Sequence, residues 1–225
     1  MVENSLGRLW VEGHPNDELK ANWKYYLEEA PQEPEVEAQL KQIRAEYAQI
    51  DPASILCCDP CMGSGHILVY MFDVLMQIYL SYGYTTNEAV ESVVRNNLWG
   101  MDIDDRAAQL AYFAVMMKAQ QYDHRWLAKQ VRHPVQPNVF ALQDSGDWPT
   151  FERQMRQAFT HHPSLVEDAS IKTAKALFET FADAKEYGSI IQPEITLEEL
   201  TMMENTLDEM TKKADLMDFV AQADA

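Results

Sequence analysis

A chain of 225 residues, 47% of them apolar, is long enough for one sizeable core or a domain with a helical appendage, and none of its apolar runs approaches a membrane span. Its formal charge of −18 leaves no segment basic: acids exceed bases 10 to 5 over residues 1–50, 5 to 1 over 51–100, 6 to 5 over 101–150 and 15 to 7 over 151–225. Phosphate neutralisation by Lys and Arg supplies most nucleic-acid affinity, so the chain by itself is expected to bind DNA weakly or not at all. The opening Met1-Val2-Glu3-Asn4-Ser5 has no basic stretch leading into an apolar one, so no secretory signal is expected. All three cysteines lie at Cys57, Cys58 and Cys61 and staple no distant segments, which fits a reducing cytoplasm.

Residues 1–50 read as a helical N-terminal segment. Trp10, Leu19, Trp23, Tyr26 and Leu27 give an irregular apolar face, broken at Pro31 and Pro34, after which Val36, Leu40, Ile43 and Tyr47 recur at helical spacing. Ile55 to Cys58, between Pro52 and Pro60, suits a buried parallel strand. His66 to Tyr82 is apolar nearly all round, which predicts a buried helix stopped by Gly83. Thr85 with Glu88 forms a capping box for a shorter helix through Asn96. Leu98 to Ile103 reads as a second strand, and Asp104 opens a helix to about Gln121. Residues 122–137 are polar, contain Pro134 and Pro137, and read as a loop; Met116 and Met117 read as core. Asn138 to Leu142 is a third strand candidate, leading into the turn Gln143-Asp144-Ser145-Gly146-Asp147. Residues 51–148 thus form an α/β core, partial in its parallel sheet. Residues 149–225 form an acidic, helical, glycine-poor segment with capping boxes expected at Ser164/Glu167 and Thr196/Glu199.

The chemistry concentrates at Asp59-Pro60-Cys61-Met62-Gly63-Ser64-Gly65, set after the first strand, and at Met101-Asp102-Ile103-Asp104, ending the second. Strand, glycine turn, helix and a later strand ending in acid is how a nucleoside cofactor is held. Glycines let the backbone come close to the ligand, a helix N-terminus offers free N–H groups, and a carboxylate takes ribose hydroxyls. The gap of 43 residues from Asp59 to Asp102 exceeds the dinucleotide spacing of about 20; the extra capped helix accounts for it. Other features read as structure. Cys58 and Cys61 with Cys57 and His66 lack a second pair to complete four metal ligands, so no metal is expected and the cysteines read as small buried side chains. His161-His162 reads as solvated, and Trp10, Trp23 and Tyr25-Tyr26 as core before stacking platforms.

Asp59-Pro60-Cys61-Met62-Gly63-Ser64-Gly65-His66 resembles the first motif of S-adenosylmethionine-dependent, adenine-specific DNA methyltransferases, and Met101-Asp102-Ile103-Asp104 resembles their second. More narrowly, Val2-Glu3-Asn4-Ser5-Leu6-Gly7-Arg8-Leu9-Trp10, His66-Ile67-Leu68-Val69-Tyr70 and Asp104-Asp105-Arg106-Ala107-Ala108-Gln109-Leu110-Ala111 look like an internal piece of the large bacteriophage-exclusion (BREX, phage-growth-limitation) methyltransferases, proteins of phage defence and restriction-modification. The resemblance covers most of the chain. It implies a Rossmann-like methyltransferase fold with a C-terminal helical insertion and S-adenosylmethionine as cofactor. It also implies roles: Gly63, Ser64 and Gly65, within the turn that Pro60 and Cys61 begin, cradle the methionine part, with Asp59 near its ammonium group. Asp102 takes the ribose hydroxyls and Ile103 lies against adenine. Asp104 rivals Asp102, but its place at the head of the next helix favours Asp102 for the sugar. Asp144, in the turn after the third strand, is a looser match for the residue near the adenine amino group.

Adenine methylation in that family uses an Asn-Pro-Pro-aromatic motif, and this chain has no Asn-Pro dipeptide. It also lacks the family's Thr-Pro segment before Val2, so by the resemblance both ends look cut, the isolated chain is expected to be inactive with no catalytic residue of its own, and the open sheet edge is expected to invite self-association. Two other readings share the same arrangement: a non-catalytic cofactor-binding subunit, and a fragment of an NAD-dependent oxidoreductase.

Overall fold

The computed structural model describes residues 1–142, 146–158, 165–182, 184 and 191–205. The chain divides into two compact units, Met1–Leu142 and Gln143–Ala225. In the first, a 3-10 turn at Val2–Asn4 leads into α1 (Leu6–Gly13), followed by α2 (Asp17–Ala21) and α3 (Pro34–Tyr47). Strand β1 (Cys57–Asp59) then opens the α/β part, which continues through α4 (His66–Tyr82), α5 (Thr86–Ser92), β2 (Leu98–Asp102), α6 (Asp105–Tyr122), α7 (Trp126–Lys129) and β3 (Asn138–Ala141). The three strands form one parallel sheet in the order β1-β2-β3, with Cys57 opposite Leu98, Trp99 opposite Asn138 and Asp102 opposite Ala141. This is an α/β architecture, with helices crossing between parallel neighbours.

The core is built around α4, bracketed by Gly65 and Gly83, both in the left-handed region. Leu68, Phe72, Val74, Leu75, Met76, Ile78 and Tyr79 are all buried, and burying each such apolar side chain is worth about 1.5–3 kcal/mol relative to leaving it exposed. On β2, Leu98 and Gly100 face this core; a Cβ on Gly100 would lie 2.5 Å from Met62 Sδ and 2.7 Å from Leu68 Cδ1, so any larger residue would have to displace these two side chains. Trp99 points the other way, against Phe140, and both rings are partly open to solvent. The level of the strands is set by Asn97, fully buried before β2. Its amide donates to the carbonyls of Pro52 (2.8 Å) and Ile55 (2.7 Å), while its oxygen accepts the Tyr79 hydroxyl at 2.8 Å.

Several expectations are corrected. Strand β1 starts two residues later than Ile55. The helix after Thr85, whose capping box with Glu88 is complete, becomes a π-helical turn at Val93–Asn97. The loop 122–137 contains α7, because the Trp126 ring is buried. Helix α3 buries none of its residues, although Val36, Leu40, Ile43 and Tyr47 do share its spacing. Met116 is core, but Met117 is 42% exposed, one position round the helix. Tyr25 and Leu27 are exposed, and of the three free cysteines only Cys57 is buried. In the second unit, α8 (Trp148–Ala158), α9 (Leu165–Thr180) and a helical run over 197–205 enclose Met155, Ile171, Ala174 and Met203. The Thr196/Glu199 capping box is formed. His161-His162 and the Ser164/Glu167 box lie outside the described residues. Among the described residues no helix is long and apolar enough to cross a membrane.

Candidate functional site

The site forms where the chain leaves β1. Asp59 is 8% exposed; its Oδ1 accepts the Cys61 N–H at 3.1 Å, while its Oδ2 is buried and meets no donor. Pro60 and Cys61 are exposed and carry the chain to Met62, whose side chain is buried and whose N–H donates to the Met101 carbonyl at 3.0 Å. That bond sews the turn to the end of β2. Gly63 and Gly65 both have positive φ, 53° and 83°. A Cβ on Gly65 would sit 2.9 Å from Ala111 Cα, whereas a Cβ on Gly63 would meet nothing within 4 Å. One glycine lets α6 press close; the other fronts open space. Helix α4 starts with no side-chain cap on its first N–H groups, because its N-cap residue is Gly65, and the preceding Ser64 hydroxyl is engaged with His66 Nδ1 at 2.9 Å.

At the end of β2 the Asp102 carboxylate accepts two backbone N–H groups, Gly63 to Oδ2 at 2.8 Å and Asp104 to Oδ1 at 3.0 Å. These hold its carboxyl below the usual carboxylate range, the Asp104 N–H contributing most and the Gly63 N–H next. The Asp102 carbonyl accepts the Leu142 N–H at 2.7 Å, fixing the exit of β3. Ile103 is 59% exposed beside it. Asp104 caps α6, its Oδ1 accepting the Arg106 N–H at 2.9 Å. The structure therefore joins Gly63 to Asp102 directly and Asp59 to Cys61, and leaves Pro60, Ser64 and Ile103 exposed on these turns. Asp144 lies outside the described residues. Among the described residues no group of three or more His, Cys, Asp or Glu side chains is placed to hold a metal.

Sequence reasoning missed a buried acid close by. Glu3 is 1% exposed and accepts the Tyr25 N–H at 2.5 Å and the hydroxyl of Tyr70, one turn into α4. Nothing in the pattern marks it beyond an acid ahead of an apolar helix. The Tyr70 hydroxyl is pushed up to about 12, first by that hydrogen bond and then by burial.

This is an α/β protein whose parallel strands end at a glycine turn and an acid, the place where open α/β sheets carry their ligand sites. The chain is 40% identical over 206 residues to the adenine-specific methyltransferase BrxX of Escherichia coli O9:H4 (strain HS), a match covering 85% of this chain and 17% of that protein. It is 44% identical over 151 residues to the adenine-specific methyltransferase PglX of Lacticaseibacillus casei (strain Zhang), covering 63% of this chain and 12% of that protein. A putative type II restriction enzyme and methyltransferase of Methanocaldococcus jannaschii is 35% identical over 124 residues, covering 49% of this chain and 10% of that protein. No protein-family model matches. By sequence the chain belongs with the adenine-specific methyltransferases of the bacteriophage-exclusion type and corresponds to one segment of them, less than a fifth of the length of these relatives.

Proposed function

We propose that the first unit carries a Rossmann-like S-adenosylmethionine site, and that the chain is the cofactor-binding part of a DNA adenine N6-methyltransferase. The observation that carries this is the bond from the Gly63 N–H to the Asp102 carboxylate, which unites the glycine turn with the second acid next to a buried Asp59 oxygen that lacks a donor. The residues fit the group. The ligand's ammonium is a donor of the kind Asp59 Oδ2 lacks, and the open space before Gly63 admits close backbone approach. The uncapped N–H groups opening α4 suit a carboxylate. A carboxylate has about four acceptor sites, so Asp102 retains acceptor capacity for ribose hydroxyls beside its bonds to the Gly63 and Asp104 N–H groups. Ile103 offers an apolar face for adenine, and Asp144 is proposed near the adenine amino group.

Bound S-adenosylmethionine supplies the methyl group; the chain's own residues bind and orient it, a contribution of proximity rather than covalent catalysis. With no Asn-Pro dipeptide and a net charge of −18, the chain alone is expected to bind cofactor and methylate nothing, DNA being engaged by parts outside it. The same two features support a second reading, a cofactor-binding subunit whose partner brings a basic surface and the catalytic loop. Calorimetric titration of the 225-residue chain with S-adenosylhomocysteine and with NAD tests the assignment. Heat of binding is expected for the first only; binding of NAD alone overturns it. Methyl transfer to duplex DNA by the chain alone overturns the inactivity.

A further inference from the structure

The segment 23–27 is held by side chains from the start of the chain rather than by secondary structure. Besides the Glu3 contacts, the Asn4 amide donates to the Tyr25 carbonyl at 2.7 Å and accepts the Leu27 N–H at 2.8 Å. Arg8 donates to the Leu27 carbonyl at 2.5 Å and lies over the Tyr26 ring. The segment runs along α4 towards its beginning: Trp23 Nε1 donates to Gln77 at 2.8 Å, and two residues on, Tyr25 shares Glu3 with Tyr70. At a rise of about 1.5 Å per residue, Tyr70 lies only about 8 Å along the helix from Gly65. Helical side chains lean towards the helix N-terminus, which brings Tyr70 nearer still.

A carboxylate this buried is rare without a cation beside it, and here it is committed to a backbone N–H and a phenol. What it immobilises is not core. Tyr25 is 61% exposed, and Tyr70, though its hydroxyl is spent on Glu3, also presents its ring to solvent. Both are tied to Glu3 beside the first turns of α4, Tyr70 through its hydroxyl and Tyr25 through its backbone N–H, about five residues along the helix from the glycine turn.

We propose that Glu3 is a positioning residue for the cofactor: it holds the Tyr25 backbone beside the first turns of α4, from where the Tyr25 ring forms a wall against the methionine part of the ligand seated on Gly63–Gly65. This rests on the S-adenosylmethionine reading of that turn. Tyr25 makes the contact, and Glu3, with Asn4 behind it, fixes where the ring stands. The contact is worth what an aromatic ring adds to a ligand beyond area alone.

The test is a double-mutant cycle on the 225-residue chain, with S-adenosylhomocysteine as the titrant and thermal unfolding recorded alongside. Tyr25→Ala removes an exposed ring, so it is expected to weaken binding about 3- to 10-fold with no appreciable loss of melting temperature. Glu3→Ala is expected to weaken binding by a similar factor, and the double variant by no more than either alone. Glu3→Gln, which retains an acceptor for the Tyr25 N–H, is expected to recover most of the affinity. Unchanged affinity in Tyr25→Ala overturns the proposal, as do additive losses in the double variant. If Glu3→Ala does not fold, Tyr25→Ala with Asn4→Ala decides it in the same way. Absence of binding by the unaltered chain overturns the cofactor reading itself, whereas binding that ignores Tyr25 overturns only this inference.

Discussion

At the carboxyl end of β1 the chain buries an aspartate and leaves one of its oxygens facing no donor. At the carboxyl end of β2 it places an aspartate in partial contact with solvent and gives each oxygen a backbone N–H. Asp59 and Asp102 end neighbouring strands of one sheet, and the turn from the first strand donates to the acid of the second. A buried oxygen without a partner costs roughly 1–3 kcal/mol, and chains seldom retain one without a use. Asp102 shapes the turn through its two N–H partners, whereas Asp59 keeps one oxygen that the described residues do not engage. On the cofactor reading proposed above, one side of the site is organised in advance and the other is completed by the ligand.

That contrast depends on the turn staying where Gly63 reaches Asp102, and the harshest way to break it is Gly65→Ala. The left-handed φ of 83° costs an L-residue about 1–2 kcal/mol. The new methyl would lie 2.9 Å from Ala111 Cα, an overlap of backbone with α6 that adds about 1–3 kcal/mol. A loss of about 2–5 kcal/mol is expected in urea unfolding, with cofactor binding abolished. Gly63→Ala carries only the φ cost, since its Cβ meets open space. Equal losses in the two variants would mean that α6 does not lean on Gly65 as described.

How much of this was legible in the sequence follows from the range of the forces involved. Helix α4 was readable from His66 to Tyr82 because its ends are local chemistry, glycines at 65 and 83, and because a helix apolar on all sides has few places to go. The Thr85/Glu88 box and Asp104 as a cap were readable for the same reason. The glycine turn and the acid after β2 could be named, but not that Gly63 donates to Asp102, since 39 residues separate them and the strand register decides. Glu3 was invisible: burial of an acid depends on Tyr25 and Tyr70 arriving from elsewhere. Helix α3 shows the converse, a regular apolar stripe at Val36, Leu40 and Ile43 that yields a helix without saying what covers it.

Asp102→Asn sharpens the contrast from the side of the organised acid. An amide has one acceptor oxygen where the carboxylate serves two N–H groups, so either Gly63 or Asp104 loses its partner. Cofactor affinity is expected to fall at least about 10-fold, with the calorimetric titration as readout. The acid side of the stability curve gives a second check. The folded carboxyl lies below its unfolded value of about 3.9, so its contribution is present above that value and is lost as pH falls through the lower folded one. Urea midpoints between pH 5 and pH 2 are expected to decline less steeply in Asp102→Asn than in the unaltered chain.

Asp59→Asn should have the smallest effect on the free chain and is for that reason the most discriminating. Asparagine keeps an oxygen for the Cys61 N–H and turns the unpartnered oxygen into an NH2 group, so nothing that is bonded in the free chain is lost. Unfolding free energy is expected to stay within about 1 kcal/mol of the unaltered value. Binding behaves oppositely, because the NH2 group meets the ligand's ammonium donor to donor. A hydrogen bond to a charged group is worth about 1.5–3 kcal/mol, which makes the expected loss of affinity for S-adenosylhomocysteine roughly 10- to 100-fold. Paired with Asp102→Asn, the variant separates an acid that builds the turn from one that waits on it. Should Asp59→Asn unfold as readily as Asp102→Asn while binding as well as the unaltered chain, the two acids have exchanged roles, and the lone buried oxygen belongs to the fold rather than to a ligand.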